Sequence, residues 1–282
     1  MLHPPQESNL SRIGCTAMAP FKRAYALRVF MNCSTKMSRF LLFPVIIELR
    51  GAVGMIVTTH QPIFLPWPGF FFKATRADCI VLLDGVQYPL GRSWMNRNRL
   101  KCATGELWLT VPVHRKGRGL QRIKEVEIFC KNSWIRRHLR SLRQNYAHAP
   151  YFKEFFPPLE RIYEKGYERL LSLNRELIRF FWDALRLSCS LVLQSELGIS
   201  GRGTELLLSI CSRLKASEYL AFRPAEKYID AALMEENGVT AQFVTFHPPI
   251  YPQLWGDFIY NLSILDLLLN CGPMSSDIIH TG

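Results

Sequence analysis

Two short apolar runs flanking one amphipathic segment, all within residues 56–84, leave this chain few folds to choose from. Ile56-Val-Thr-Thr59 is β-branched and bounded by Pro62, so it reads as a buried strand. Pro68-Gly69 then opens the stretch Phe70-Phe-Phe-Lys-Ala-Thr-Arg-Ala77, and a proline at a first helical position suits a helix start. On that helix Phe70, Ala74 and Ala77 share the apolar face, while Lys73 and Arg76 lie off it. Cys79-Ile-Val-Leu-Leu-Asp84 follows, a continuous apolar run typical of a strand covered on both faces. Strand, helix and strand at this spacing form a βαβ unit, predicted to be parallel with a right-handed crossover.

The alternation continues with one interruption. Residues 107–113 and 126–129 are strand candidates on either side of the basic loop His114-Arg-Lys-Gly-Arg-Gly119. From Ser133 to about Arg186 the pattern turns helical. Ser133 is placed as an N-cap, and Ile135, Leu139, Leu142 and Tyr146 form one stripe, with Arg136, Arg137, Arg140 and Arg143 elsewhere on the helix. Pro157-Pro158 is expected to break this region into pieces. A strand at 190–193, a helix at 204–214, a strand at 217–221, a helix near 225–236, a strand at 241–246 and a helix at 262–269 closed by Cys-Gly-Pro restore the alternation. The fold class expected is α/β: three layers around a mostly parallel sheet, with a helical insertion at about 133–186 and a single domain over 55–282.

Residues 1–54 fit that scheme poorly. They carry seven Lys/Arg and two Asp/Glu without strong periodicity. Their apolar stretch, 40–47, is too short for a bilayer span of roughly 20 residues. It is also too far into the chain for an ordinary signal peptide. Met55-Ile-Val-Thr-Thr-His60 reads like a protein start running into a strand, so the preceding segment is expected to be a non-native or disordered extension. The rival expectation is a genuine basic arm.

The 35 Lys/Arg against 23 Asp/Glu give a formal charge of +12, which favours an anionic partner or else reflects a merely basic surface. The eight cysteines are spread 18 or more residues apart, without CxxC or zinc-ligand spacing. They read as reduced core thiols of a cytoplasmic protein, and no metal is expected. Walker, GxGxxG, GxSxG and HExxH motifs are missing, so dinucleotide, P-loop and serine-hydrolase readings have no support. The partner expected is an anionic small molecule, either a nucleotide-sugar or an acyl or aminoacyl donor, and not DNA. No transmembrane segment is expected and the cofactor is left unassigned.

In an open α/β sheet, ligands collect outside the carboxyl ends of the strands. His60 directly follows the first predicted strand and suits general acid/base work or donation to an anion; the alternative is a histidine that merely holds the Pro-rich turn. Gln61 beside it can bind an amide or hydroxyl in two directions. Asp84 and Gln87 leave the second strand, where Asp84 could take a sugar hydroxyl, orient a base or simply be solvated. They lead to Asn96-Arg97-Asn98-Arg99, whose pairs point to opposite sides if the segment is extended. A guanidinium fork suits phosphate or carboxylate, and asparagine suits sugar hydroxyls. Polar loops of this composition are common, so position at a strand end is what singles these residues out.

The run His60-Gln-Pro-Ile-Phe-Leu-Pro-Trp-Pro-Gly-Phe70, then Lys73, Ala77-Asp78 and Leu83-Asp84-Gly-Val-Gln87-Tyr88, resembles the opening of the WbqC-like protein family. Asn96-Arg-Asn-Arg99 with Gly105-Glu-Leu-Trp108-Leu-Thr-Val-Pro112-Val113 continues the likeness. So do Tyr146-Ala-His-Ala-Pro-Tyr151-Phe, Thr204-Glu-Leu-Leu-Leu, Tyr219-Leu, Tyr251-Pro-Gln253 and Leu262-Ser-Ile-Leu-Asp266-Leu-Leu-Leu-Asn270-Cys-Gly272-Pro. It spans about residues 55–277 and begins near Met55. One departure is Ala221-Phe222, where the family tends to carry Ser-Gly. The resemblance implies a transferase of bacterial surface-polysaccharide (O-antigen-type) biosynthesis that moves an aminoacyl or acyl group to a nucleotide-linked amino sugar. On that reading His60 takes the proton of the attacking amine, Arg97 and Lys73 hold the anionic part, and Asn96, Gln61 and Gln87 orient the sugar. A nucleotidylyltransferase-like enzyme and a non-catalytic sugar-nucleotide-binding protein are the alternatives.

Overall fold

A computed structural model describes residues 54–129 and 133–282. The expectations for the amino-terminal extension, Cys15, Cys33 and Cys130 lie outside them. Five strands form one parallel sheet: β1 (Met55–His60), β2 (Cys79–Leu82), β5 (Ser190–Leu193), β6 (Ala216–Phe222) and β7 (Thr240–Val244). Their order is β5-β2-β1-β6-β7, with every neighbouring pair parallel and helices on both sides, which makes three layers. The βαβ reading of 56–84 holds, since α1 (Pro68–Arg76) links β1 to its parallel neighbour β2. Val57, Cys79, Ile80, Val81 and Leu82 are fully buried, as strands covered on both faces require.

The helical insertion is three helices, α2 (Trp134–Tyr146), α3 (Phe152–Glu164) and α4 (Leu170–Ala184). Ser133 stands at the N-cap of α2, but its hydroxyl accepts from Arg137 instead of a helix amide. Pro157 and Pro158 lie inside α3 and do not end it. Each removes a ladder bond, and burial of Phe155, Phe156, Leu159 and Tyr163 along one face outweighs that loss.

The expected strand at 126–129 is a correction: Ile123–Glu125 is a single 3₁₀ turn, and only isolated bridges join Ile128 to Val113 and Glu127 to Arg169. The strand expected at 107–113 is present, shifted toward the amino end. The strand there is β4 (Gly105–Thr110), which pairs antiparallel with β3 (Arg97–Cys102) in a separate hairpin. The carboxyl-terminal third adds α5 (Gly203–Leu214), α6 (Ala231–Glu236), α7 (Ile264–Cys271) and α8 (Ser275–His280). Ser263 caps α7 by accepting from the Leu265 amide, and every residue of α7 is buried. None of the helices among the described residues is long and apolar enough to cross a membrane.

Candidate functional site

The chain steps from β1 outward through β2 to β5, then returns to the far side of β1 with β6 and β7. The sheet therefore has its topological switch point between β1 and β6, and such a point, outside the strands' carboxyl ends, is where the ligand crevice of an open α/β sheet forms. His60 is the last residue of β1 and Phe222 the last of β6. Two hydroxyls lock these strands together below the switch point. Thr58 Oγ1 donates to the Leu220 carbonyl at 2.7 Å, and Thr59 Oγ1 lies 2.7 Å from the Tyr219 hydroxyl.

His60 Nδ1 sits 2.8 Å from the Gln61 carbonyl oxygen. A carbonyl only accepts, so the neutral ring carries its proton on Nδ1 and keeps the Nε2 lone pair free. Phe70 meets the ring edge-on at 4.9 Å. Burial, and then the nearby Lys73 ammonium, lower its pKa to about 3 against the opposing Gln61 carbonyl. The Gln61 side chain is partly exposed and makes no hydrogen bond to the described residues.

Lys73 lies off the apolar stripe of its helix, yet it is only 4 % exposed. The helical stripe has one face, whereas all of residues 68–74 in α1 are buried. The ammonium donates to the Thr59 carbonyl at 2.6 Å and lies 5.2 Å from the centre of the Phe222 ring. No carboxylate among the described residues pairs with it, and burial alone lowers its pKa to about 7. Trp67, Phe222 and Phe246 form an aromatic cluster beside it: the Trp67 ring centre lies 5.6 Å from that of Phe222 and 5.3 Å from that of Phe246. The Trp67 ring crosses the first turn of α1 so closely that a Cβ on Gly69 would stand 2.2 Å from it and would force the ring to move. The Ala221-Phe222 departure thus falls at the switch point itself.

The other candidates divide. Asp84 is fully buried and receives both the amide and the hydroxyl of Ser195, at 2.9 and 2.5 Å, while its backbone carbonyl accepts from Lys124. Its carboxylate ties the end of β2 to the turn after β5. Gln87 is exposed and bridges through its backbone to Arg122, which with Lys124, Gln194 and Ser195 borders a cavity of about 220 Å³. Asn96 and Asn98 point inward and Arg97 and Arg99 outward, as the alternation required. The Asn96 amide donates to the Val111 carbonyl at 2.9 Å, leaving its buried carbonyl oxygen without a partner. Arg97 lays its guanidinium 3.9 Å over the Trp108 ring. His60 and Lys73 therefore lie near each other at the end of β1 with Gln61 next along the chain, Asn96 and Arg97 lie at the start of the hairpin, and Asp84 and Gln87 lead toward Ser195.

Leu65 and Asn174 escaped sequence reasoning, and Asn98 and Asp266 take structural roles that it did not assign. Leu65 takes φ 45°, a costly conformation for a leucine, inside the turn that follows His60. Asn98 donates to the Phe64 and Leu65 carbonyls at 3.2 and 2.7 Å, and Asn174 donates to the Pro62 and Met95 carbonyls. These buried amides fix the turn. Farther off, Asp266 is fully buried and accepts from the Tyr146 and Tyr251 hydroxyls, with its pKa raised by burial. A lone acid inside the apolar run 262–269 was the available signal for that network.

The sequence profile of the WbqC-like protein family matches residues 61–278. The protein described as "Uncharacterized protein Rv1507c" of Mycobacterium tuberculosis (strain ATCC 25618 / H37Rv) is 34% identical over 223 residues, covering 78% of this chain and 96% of that protein. No solved structure matches.

Proposed function

Since the chain belongs to the WbqC-like protein family, we propose that it is a cytoplasmic transferase of surface-polysaccharide biosynthesis that acylates the amine of a nucleotide-linked amino sugar. The observation that carries this reading is the amine of Lys73, buried without a counter-ion among the described residues at the switch point beside a neutral histidine. General acid/base catalysis is most effective when the pKa lies near the working pH. An amine at about 7 meets that requirement, and an imidazole at about 3 does not. We therefore assign the base role to Lys73 and keep His60 as the hydrogen-bond acceptor that orients the attacking amine through Nε2.

In the step proposed, the sugar nitrogen forms a bond to the acyl carbon, the bond from that carbon to its leaving group breaks, and neutral Lys73 takes the proton the nitrogen sheds. The protonated Lys73 then returns its proton to the leaving group. Gln61, whose side-chain amide is free, would hold a sugar hydroxyl.

The test pairs a uridine-diphosphate amino sugar with an acyl thioester and follows amide formation by mass spectrometry. Turnover by the parent, lost in Lys73→Met and reduced in His60→Phe, is the expected result. Magnesium-dependent release of pyrophosphate from a nucleoside triphosphate would replace this reading with nucleotidyl transfer. Binding of the sugar nucleotide with no product in any mixture would replace it with a carrier role.

A further inference from the structure

The outward face of the β3–β4 hairpin carries a feature that the crevice does not explain. Two tryptophans stand there in contact, ring centres 5.5 Å apart and tilted 34°, with Trp94 50% and Trp108 39% exposed. Indole rings bury more apolar area than almost any side chain, and exposed aromatic clusters mark binding surfaces. The Arg97 guanidinium lies 3.9 Å from the centre of the Trp108 ring and has no carboxylate partner among the described residues. Its neighbour Arg99 is committed elsewhere, paired with Glu106 and donating to the Tyr260 carbonyl.

The two rings are held firmly. Trp108 sits on β4 opposite Arg99 in a six-pair antiparallel ladder. The backbone at Trp94 is fixed by its carbonyl, which accepts from the Phe64 amide at 3.0 Å, and by Ser93 Oγ, which accepts from the Met95 amide at 3.1 Å. A preordered apolar surface loses little conformational entropy when a ligand settles on it.

We propose that Trp94, Trp108 and Arg97 form a binding platform for an acidic oligosaccharide, a chain of pyranose rings bearing carboxylates. A pyranose presents a face of C–H bonds that packs flat on an indole, whose face is electron-rich. The tilt makes an open, bent shelf, which suits successive rings of a puckered chain. The guanidinium fork that lies over the Trp108 ring, without a carboxylate partner among the described residues, matches a planar carboxylate in charge and geometry, while the half-exposed Trp94 ring beside it offers the face for a pyranose. This platform stands independently of the chemistry assigned to Lys73.

The experiment titrates tetragalacturonate into the full chain, following tryptophan fluorescence and heat, with its methyl-esterified form as the control of equal shape and no charge. The parent should bind the acid at least tenfold more tightly than the ester. Trp108→Ala and Trp94→Ala should each weaken binding of both ligands by tenfold or more without moving the melting temperature. Arg97→Met should erase the preference for the acid while retaining ester binding, and Arg97→Lys should recover only part of it. Absence of binding by the parent, or equal binding by parent and Trp94→Ala/Trp108→Ala double variant, overturns the proposal. Sedimentation showing that the parent self-associates, and that Trp108→Ala abolishes the association, also overturns it by giving the face to a second copy of the chain.

Discussion

Replacing Lys73 by methionine should reverse the order of stability of parent and variant as pH rises. Lys73 has its pKa lowered from 10.5 to about 7 by burial. Between those values the unfolded chain holds a proton on this amine and the folded chain does not, so folding grows more favourable as pH rises through that window. At about 1.4 kcal/mol for each unit, the amine contributes a gain on the order of 5 kcal/mol between pH 7 and pH 10.5. Below pH 7 that quantity is a constant penalty. Methionine fills a similar volume without the penalty but removes the hydrogen bond to the Thr59 carbonyl, a loss of about 1–3 kcal/mol at any pH. Lys73→Met should therefore be more stable than the parent by about 2–4 kcal/mol at pH 6 and less stable at pH 10.5. Guanidinium unfolding of both proteins at five pH values gives the difference directly, and tyrosines and cysteines common to both cancel. A difference that stays flat from pH 6 to pH 10 would refute the account, because it would mean that the amine keeps an ordinary pKa and is solvated.

Three further expectations concern the neighbouring groups. Imidazole nitrogen spectra should show His60 neutral with its proton on Nδ1 down to about pH 4, and a ring protonated at pH 6 would contradict its enclosure. His138, 6 % exposed with its pKa lowered to about 4, should cost the fold about 2–3 kcal/mol as pH falls from 6.5 to 4.5, because only the unfolded chain takes up its proton there; an unfolding midpoint unmoved over that range would contradict this. Asp84→Asn should lower stability by about 1–3 kcal/mol through its weakened grip on Ser195, whereas unchanged denaturation with lost ligand binding would return the carboxylate to the site.

Local chemistry decided what could be read in advance. The βαβ unit was legible because Val57, Cys79, Ile80, Val81 and Leu82 are buried on both faces, and only apolar residues tolerate that. The inward turn of Asn98 and outward turn of Arg97 and Arg99 followed from the two-residue period of a strand. What the sequence left open depends on partners remote in sequence. Asp84 stood open between a ligand group, an orienting group and a solvated carboxylate; Ser195, 111 residues on, bonds it. Lys73 lay off the apolar stripe of its helix, and the ring that approaches it there, Phe222, comes from the far end of another strand. Pro157 and Pro158 looked like breakers because the packing of Phe155, Phe156 and Tyr163 has no local signature.

Lys73 also supplies the strongest internal argument that the crevice is a site. A buried amine with no counter-ion weakens the fold by several kcal/mol, against a typical domain stability of about 5–15 kcal/mol. Its one hydrogen bond, to the Thr59 carbonyl, returns only part of that loss. A leucine or methionine at position 73 would fill the same space among Thr59, Phe222 and the rest of α1 without the penalty. Other departures nearby are smaller: the Asn98 and Asn174 side-chain NH2 groups donate to carbonyls and Asp84 is capped by Ser195, while the buried Asn96 and Asn174 oxygens lack a partner among the described residues and Leu65 takes a positive φ. Such departures concentrate where function requires them. Here the departure coincides with the topological switch point of the sheet, beside a histidine held in one tautomer with its Nε2 lone pair free. An amine kept near neutrality at that place is a group that gives and takes protons, which is why the pH dependence of Lys73→Met and the loss of acyl transfer in the same variant must occur together.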